Sequence, residues 1–264
     1  MGVDVRVSIV ISNYNYGRFV GEAIASALGQ THHHVEVIVV DDGSTDDSLD
    51  VIRRFPVRVF ARGNQGVCAA RNYGAAKSTG DYLIFLDADD VLESGYAESC
   101  LKALVSAPDD VAYAYSGMQT FGLEARDFPS RPFDARRLVK KNFVNVSAMI
   151  RRSIFLDAGG FDPSWGKGLE DWEFWVRLLS RGYCGVWVPA TKLRYRKHGP
   201  SRNLLERRTL RALGWKLQVR YPRLCWRKLV RYPLNWLYWR WRHRGPTLLP
   251  PNSSRVHCDG FPWE

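Results

Sequence analysis

Two short apolar runs in this chain end directly in clustered aspartates, and that pairing limits the fold more than any other feature. Residues 35–40 (VEVIVV) lead into Asp41-Asp42-Gly43-Ser44, and residues 81–86 (DYLIFL) lead into Asp87-Ala88-Asp89-Asp90. A third run, residues 7–11 (VSIVI), leads into Ser12-Asn13-Tyr14-Asn15. Short β-branched runs without polar alternation suit strands buried on both faces of a parallel sheet. Between the first two runs in chain order, Phe19, Val20, Ala23, Ile24, Ala27 and Leu28 follow a helical spacing. Ser44 or Thr45 is placed to cap a second helix reaching about residue 54, with Asp46 and Asp47 in its first turn. Residues 57–60 and 111–115 read as further strands, and residues 66–77 and 95–105 as helices. Strands alternating with helices imply right-handed crossovers, so the expected class is α/β, with a mixed, mainly parallel sheet flanked by helices.

Open α/β sheets bind ligands beyond the carboxyl ends of their strands, so acids delivered there by two strands can meet in one crevice. A single aspartate after a strand is equally well explained as a turn or helix cap. Two clusters in equivalent places are harder to explain so, and the Asp87-x-Asp89 arrangement of hard oxygens suits Mg²⁺ or Mn²⁺ on a diphosphate. Beyond residue 116 the alternation fades. Residues 121–142 read as a loop-rich excursion, 144–151 as a strand, 170–181 as an amphipathic helix, and 186–188 and 192–196 as short strands.

Five motifs in order carry a resemblance. Ser12-Asn13-Tyr14-Asn15, residues 39–46 (VVDDGSTD), Asn64-Gln65-Gly66 with Ala70-Arg71-Asn72, residues 85–90 (FLDADD) and Glu170-Asp171-Trp172 together resemble the family 2 glycosyltransferases, over about residues 7–198. The resemblance implies a GT-A fold, Rossmann-like, and an inverting enzyme that uses a nucleotide-sugar donor with Mn²⁺ or Mg²⁺. It implies a domain over residues 1–200, its nucleotide-binding part about 1–116 and its acceptor-binding part about 117–200. By position, Ser12 and Tyr14 would line the nucleoside pocket, and Asp42 would accept from a uracil N–H. Arg71 would lie beside the nucleotide, Asp89 would hold the metal, and Asp87 would face the ribose or the metal. Asp171 would be the general base that takes the acceptor's proton. His198 resembles a late histidine that approaches the metal or diphosphate in some relatives; a solvated or structural histidine is the alternative. Trp172 could stack on an acceptor sugar or sit in the core or rim. The acceptor would be a saccharide or a lipid-linked one, in surface glycan synthesis. No Gln-x-x-Arg-Trp motif follows Asp171, which predicts one sugar added per encounter rather than processive synthesis.

Charge sets the end of the chain apart. Residues 201–244 hold thirteen Lys and Arg against Glu206 alone, a local +12 in a chain of formal net charge +11, so the remainder is close to neutral. Five of the ten tryptophans (Trp215, Trp226, Trp236, Trp239 and Trp241) lie in that segment. Its longest uncharged stretch, residues 232–239, is too short to span a bilayer. Basic residues interleaved with Trp, Tyr and Leu suit a helical appendage on an anionic membrane surface; a basic subdomain packed on the core is the alternative. Residues 245–264, rich in proline, are expected to form a flexible tail. The five cysteines make no metal-ligand spacing, and residues 1–6 lead straight into a strand-like run, so a cytoplasmic setting, peripheral on the membrane, is expected.

Three rival functions are weighed against these motifs. A nucleotidyltransferase of the same fold lacks its Gly-rich signal where Ser12-Asn13-Tyr14-Asn15 stands. A non-catalytic membrane-binding module leaves the repulsion among Asp42, Asp87, Asp89 and Asp171 without a purpose. Nucleic-acid binding follows from charge alone and leaves the near-neutral domain unexplained, so no nucleic-acid partner is expected.

Overall fold

The computed structural model describes residues 5–165, 168–199, 207–222 and 224. Its first half is a set of crossovers: β1 (Val7–Asn13), α1 (Gly17–Leu28), β2 (Val35–Asp41), α2 (Ser48–Ile52), β3 (Arg58–Ala61), α3 (Val67–Lys77) and β4 (Tyr82–Asp87). These four strands are parallel, in the order β3-β2-β1-β4. After a short β5 (Val91–Leu92) come α4 (Tyr96–Val105), β6 (Val111–Gly122), β7 (Asp127–Phe128), α5 (Ala135–Lys140), β8 (Met149–Arg151) and α6 (Arg152–Asp157). A 3₁₀ turn at Pro163–Trp165 precedes α7 (Glu170–Ser180), β9 (Cys184–Lys197) and α8 (Arg207–Arg220).

The sheet continues past β4 as β8-β6-β9-β5. β8 is antiparallel to both of its neighbours, β9 runs parallel to β6, and β5 is antiparallel to β9. The proposed boundary near residue 116 therefore falls inside β6, and the two parts share one sheet. The expected α/β class, mainly parallel at its centre and flanked by helices, is what forms, and a basic C-terminal helix follows it.

The apolar runs are continuous because both faces of the sheet are covered. Val10, Leu83 and Phe85 face one core, with Phe155, Phe161, Phe174 and Trp175 from α6, α7 and the segment between them. Ile9, Ile11, Ile84 and Leu86 face the other, against Val20 and Ile24 of α1 and Tyr96 of α4. The small-residue character of α3 has a steric cause. A Cβ on Gly74 would come within 2.3 Å of Val10 Cγ1, so only glycine lets α3 lie this close to β1. That approach carries Arg71, one turn earlier, under the strand ends.

Several expectations need correction. Ser44 and Thr45 do not cap α2, which begins at Ser48 after Asp47. The Ser44 hydroxyl is taken by Asp41 at 2.5 Å, while Asp46 Oδ1 accepts from Ser48 N at 3.0 Å. The strand expected over 144–151 is confined to Met149–Arg151. The excursion over 121–142 contains the end of β6, β7 and α5, the last capped by Asp134, which accepts from Arg137 N at 2.9 Å. The two short strands expected near 186–196 are one strand, β9, interrupted by a bulge that takes its pairing with β6 from Val188 to Lys192. Burial pushes the Cys68 and Cys100 thiols up to about 12, which keeps both protonated and unreactive.

Candidate active site

Parallel register brings the strand ends level: Asn13 lies opposite Asp41, and Ser12 opposite Asp87. Asp41 is buried and accepts from Asn13 Nδ2 at 2.7 Å and Ser44 N at 3.0 Å, so it ties β1 to the turn after β2. Gly43 makes that turn at φ +83°, where a Cβ would meet Asn64 N at 2.8 Å. Asp42, also buried, accepts from the backbone N–H groups of Gln65 at 3.1 Å and Gly66 at 2.7 Å, with Arg62 Nε at 3.6 Å. It thereby fixes the loop that opens α3. Ser12 donates weakly to Asp87 Oδ1 at 3.4 Å, and Tyr14 stands exposed at the rim, 39% accessible.

Arg71 joins the end of β4 to the start of α7. Its side chain is buried, and Nη2 donates to Asp87 Oδ1 at 2.6 Å while Nη1 donates to Glu170 Oε1 at 2.8 Å. The two carboxylates hold the guanidinium pKa above its ordinary value. Arg71 therefore links the end of β4, through Asp87, to the first residue of α7.

After β4 the chain turns at once, with Asp90 N donating to Asp87 O at 3.0 Å. β9 clamps this turn. Arg196 N donates to Asp90 Oδ1 at 2.9 Å, Arg196 Nε donates to Asp89 O at 2.9 Å, and the same guanidinium pairs with Glu22. Burial, then the negative charge of Asp87, raises the Asp89 carboxyl above its ordinary value; burial raises Asp90 further.

His198, just past β9, lies at 2.9 Å from Asp89 Oδ2 through Nε2 and at 3.3 Å from Arg18 Nη2 through Nδ1. A guanidinium can only donate. Nδ1 is therefore the acceptor, the proton sits on Nε2, and His198 donates to Asp89. In this arrangement the imidazole orients the carboxylate, and its own lone pair does not face the acid.

α7 begins at Glu170 without a side-chain cap and carries Glu170, Asp171 and Glu173 in its first turn, where acids suit the positive end of the helix. Asp171 Oδ2 accepts from Asn142 Nδ2 at 2.9 Å, and Oδ1 accepts from Trp172 N at 2.7 Å. Burial, then Glu170, pushes the Asp171 carboxyl up to about 7, against the lowering pull of Arg71 and the hydrogen bonds. A carboxyl poised there is matched to proton transfer near neutrality. Trp172 donates its indole N–H to Leu138 O at 2.6 Å and packs on the core, which favours the structural side of the alternative.

Among the described residues, no three His, Cys, Asp or Glu side chains converge into a metal cage. The Asp87–Asp89 pair nonetheless fits a hard divalent cation. Such ions are commonly held by one or two carboxylates with substrate phosphates completing the shell, and a cation would relieve the repulsion that raises Asp89.

The sequence motifs named Ser12, Tyr14, Asp42, Arg71, Asp87, Asp89, Asp171 and His198, and the fold brings these strand-end, helix-start and β9 residues to one end of the sheet. It adds Glu170, Asn142, Arg196 and Arg18. Glu170 was legible as a helix-start acid, but nothing local in the chain says that it meets Arg71, 99 positions away.

The described part of the basic segment packs on this domain. Leu217 and Leu224 are buried in the main core, Tyr221 donates to the fully buried Glu173 at 2.5 Å, and Arg220 pairs with Asp162 at 2.7 Å. Trp215 and Val219 face outward, about 60% exposed. Trp226, Trp236, Trp239 and Trp241, and the tail at 245–264, lie outside the described residues.

A mixed sheet with acids at its parallel strand ends, facing an acid-led helix, is the arrangement of a GT-A fold. Residues 8–157 match glycosyl transferase family 2, and residues 135–216 match glycosyltransferase-like family 2. The chain belongs to glycosyl transferase family 2. It is 46% identical over 93 residues to an uncharacterised glycosyltransferase of Nostoc sp., covering 33% of this chain and 29% of that one. It is 26% identical over 161 residues to the cholesterol galactosyltransferase of Borreliella burgdorferi, covering 57% and 45%. The matched segments thus span less than half the length of these curated relatives. Staphylococcus aureus TarS 1–349 in complex with UDP-GlcNAc shares the fold at TM-score 0.58 and 18% identity, over 76% of this chain and 61% of that one. The mannosyltransferase PcManGT from Pyrobaculum calidifontis, in complex with GDP-Man and Mn²⁺, does so at TM-score 0.56 and 20% identity, over 75% and 58%.

Proposed function

We propose that this protein transfers a sugar from a nucleotide-diphosphate donor, uridine-linked, to a saccharide or lipid-linked acceptor with inversion, in the building of a surface glycan. The observation that carries the reading is Arg71, which ties the strand-end acid Asp87 to the helix start bearing Asp171. In this reading Asp87 serves the donor and Asp171 the acceptor. UDP-GlcNAc in TarS and GDP-Man with Mn²⁺ in PcManGT support a nucleotide-sugar donor, and the named cholesterol galactosyltransferase supports an acceptor with lipid character.

In this reading Ser12 and Tyr14 line the nucleoside pocket, Asp42 accepts from the base, and Arg71 lies beside the nucleotide through Asp87. Asp89 and Asp87 would hold Mn²⁺ or Mg²⁺, with His198 orienting Asp89. The ion, when bound, supplies Lewis-acid stabilisation of the departing diphosphate. Asp171 accepts the proton of the acceptor hydroxyl as its oxygen attacks the anomeric carbon. The bond from that carbon to the diphosphate breaks on the opposite face, its electron pair leaving with the nucleotide diphosphate. One displacement inverts the anomeric centre. Incubating the full chain with Mn²⁺, candidate acceptors and a panel of nucleotide sugars tests this: a uridine-linked donor should give acceptor-dependent release of UDP. Release from guanosine-linked donors alone would replace the uridine assignment.

We further propose that the chain works on the cytoplasmic face of an anionic membrane. No helix among the described residues is long and apolar enough to cross a bilayer. α8 instead presents Trp215 and Val219 outward in a segment of local charge +12. Co-sedimentation with vesicles should rise with anionic lipid and fall with salt, since surface attraction is screened within about 10 Å at 0.1 M. Equal sedimentation with neutral and anionic vesicles would contradict it.

A further inference from the structure

We propose that Arg71 and Glu170 are positioning residues for the transfer: together they form a buried strut that holds the helix start carrying Asp171 at a fixed distance and orientation from the strand end carrying Asp87. The proposal rests on the assignment of Asp171 as the base and deepens it.

Trp172 and Glu173 anchor the first turn of α7 to Leu138 and Tyr221, and Glu170 ties it to the strand ends. Leu169, at its N-cap position, makes no side-chain capping bond. Asn142 reaches Asp171 itself, at 2.9 Å. Glu170 reaches out of the helix to Nη1 of Arg71 at 2.8 Å, and the other terminal nitrogen of that guanidinium is fixed on Asp87 at 2.6 Å. Arg71 is rigid in turn, because α3 is seated against β1 at Gly74. A planar guanidinium with two separated donors suits this task, since it sets the angle as well as the distance between the two carboxylates.

Stability alone does not explain the arrangement. Arg71 Nε and Glu170 Oε2 are buried without a hydrogen-bond partner among the described residues. Asp87 and Glu170 share one buried guanidinium, and Asp171 lies within its electrostatic reach. Buried ion pairs are poor sources of stability compared with apolar packing of similar volume, because desolvation offsets the attraction. The charges have a use at the base. Glu170 opposes ionisation of Asp171, and Arg71 favours it. From α5, packed along α7, Arg137 stacks on Phe143 and Asp134 caps its own helix; from α8, Arg220 and Tyr221 face Glu173; and Asp162 is paired with Arg220. Glu170 and Arg71 are therefore the charges that act on Asp171, with the Asn142 amide and the Trp172 N–H as its hydrogen-bond donors.

The test is the pH profile of kcat, with donor KM, for the full chain and two variants. The wild type should lose turnover as pH falls through about 7, where Asp171 takes up a proton and can no longer accept one. Glu170→Gln keeps an oxygen for Arg71 but removes the like charge, so that limb should move down by about one pH unit while donor KM stays near the wild-type value. Glu170→Asp keeps the charge but falls short of Arg71. Its limb should stay in place while kcat drops about 10–100-fold, the scale of a misplacement near one ångström. A Glu170→Gln profile superimposed on the wild type, or Glu170→Asp with wild-type kcat, overturns the proposal; if Glu170→Gln fails to fold, Glu170→Asp decides alone. Asp171→Asn separates the two levels. If it is inactive while the Glu170 variants match the wild type, only the strut is wrong. If it retains full turnover, the base assignment itself falls.

Discussion

Replacing Asp171 by asparagine is expected to lower turnover by about 10²–10⁴-fold, the usual contribution of general base catalysis, while donor affinity stays near normal. The split follows from where Asp171 sits. It belongs to the first turn of α7, and its hydrogen bonds among the described residues come from Asn142 and the Trp172 N–H rather than from the strand-end residues proposed to hold the donor. An asparagine of the same shape can keep one of these hydrogen bonds, so the fold should be retained. It cannot take a proton. Steady-state turnover beside calorimetric titration of the nucleotide diphosphate checks both halves, and a parallel loss of binding and turnover would show that Asp171 serves the donor instead.

Asp89→Asn should have the opposite signature. Its carboxylate lies beside Asp87, is raised by burial and by that charge, and is oriented by His198 at 2.9 Å. Metal-dependent binding of the nucleotide diphosphate should fall by at least about 100-fold in this variant, while binding measured without metal changes little. His198→Ala should give a graded loss of about 10–100-fold, typical of a group that orients a ligand rather than supplying it. Titration with Mn²⁺ present and absent separates the two variants. Unchanged Mn²⁺-dependent affinity in Asp89→Asn would remove that residue from the metal's shell.

The parallel half of this fold was legible because β1, β2 and β4 are buried along most of their length, which leaves apolar runs closed by polar turn residues, while β3, at the sheet edge, is half exposed. The antiparallel half was not, for reasons that lie in tertiary pairing. β9 carries a bulge between Val188 and Lys192, and the polar Pro189–Thr191 break in the sequence made one strand read as two. β6 runs on to Gly122 because β9 pairs along it, which no local signal records. α5 did leave a signal, Asp134 three residues before Arg137, but the helix is six residues long and carries little periodicity. In the site, residues held by strand-end motifs were readable from position. Those whose roles depend on distant partners were not: Glu170 on Arg71, Arg196 on the turn after β4, Arg18 on His198. The cap assigned to Ser44 failed for a related reason, since the neighbouring Asp41 competes for its hydroxyl.

If Asp171 takes the acceptor's proton in a single displacement, no covalent sugar–enzyme intermediate forms. Proton NMR of the product made from an α-linked nucleotide sugar tests it most directly, through the coupling of the anomeric proton in the first minutes of reaction. The wild type should give a β-linked product, inverted relative to the donor. An α-linked product would contradict it, because retention requires chemistry that one carboxylate at the start of α7 does not perform in a single step.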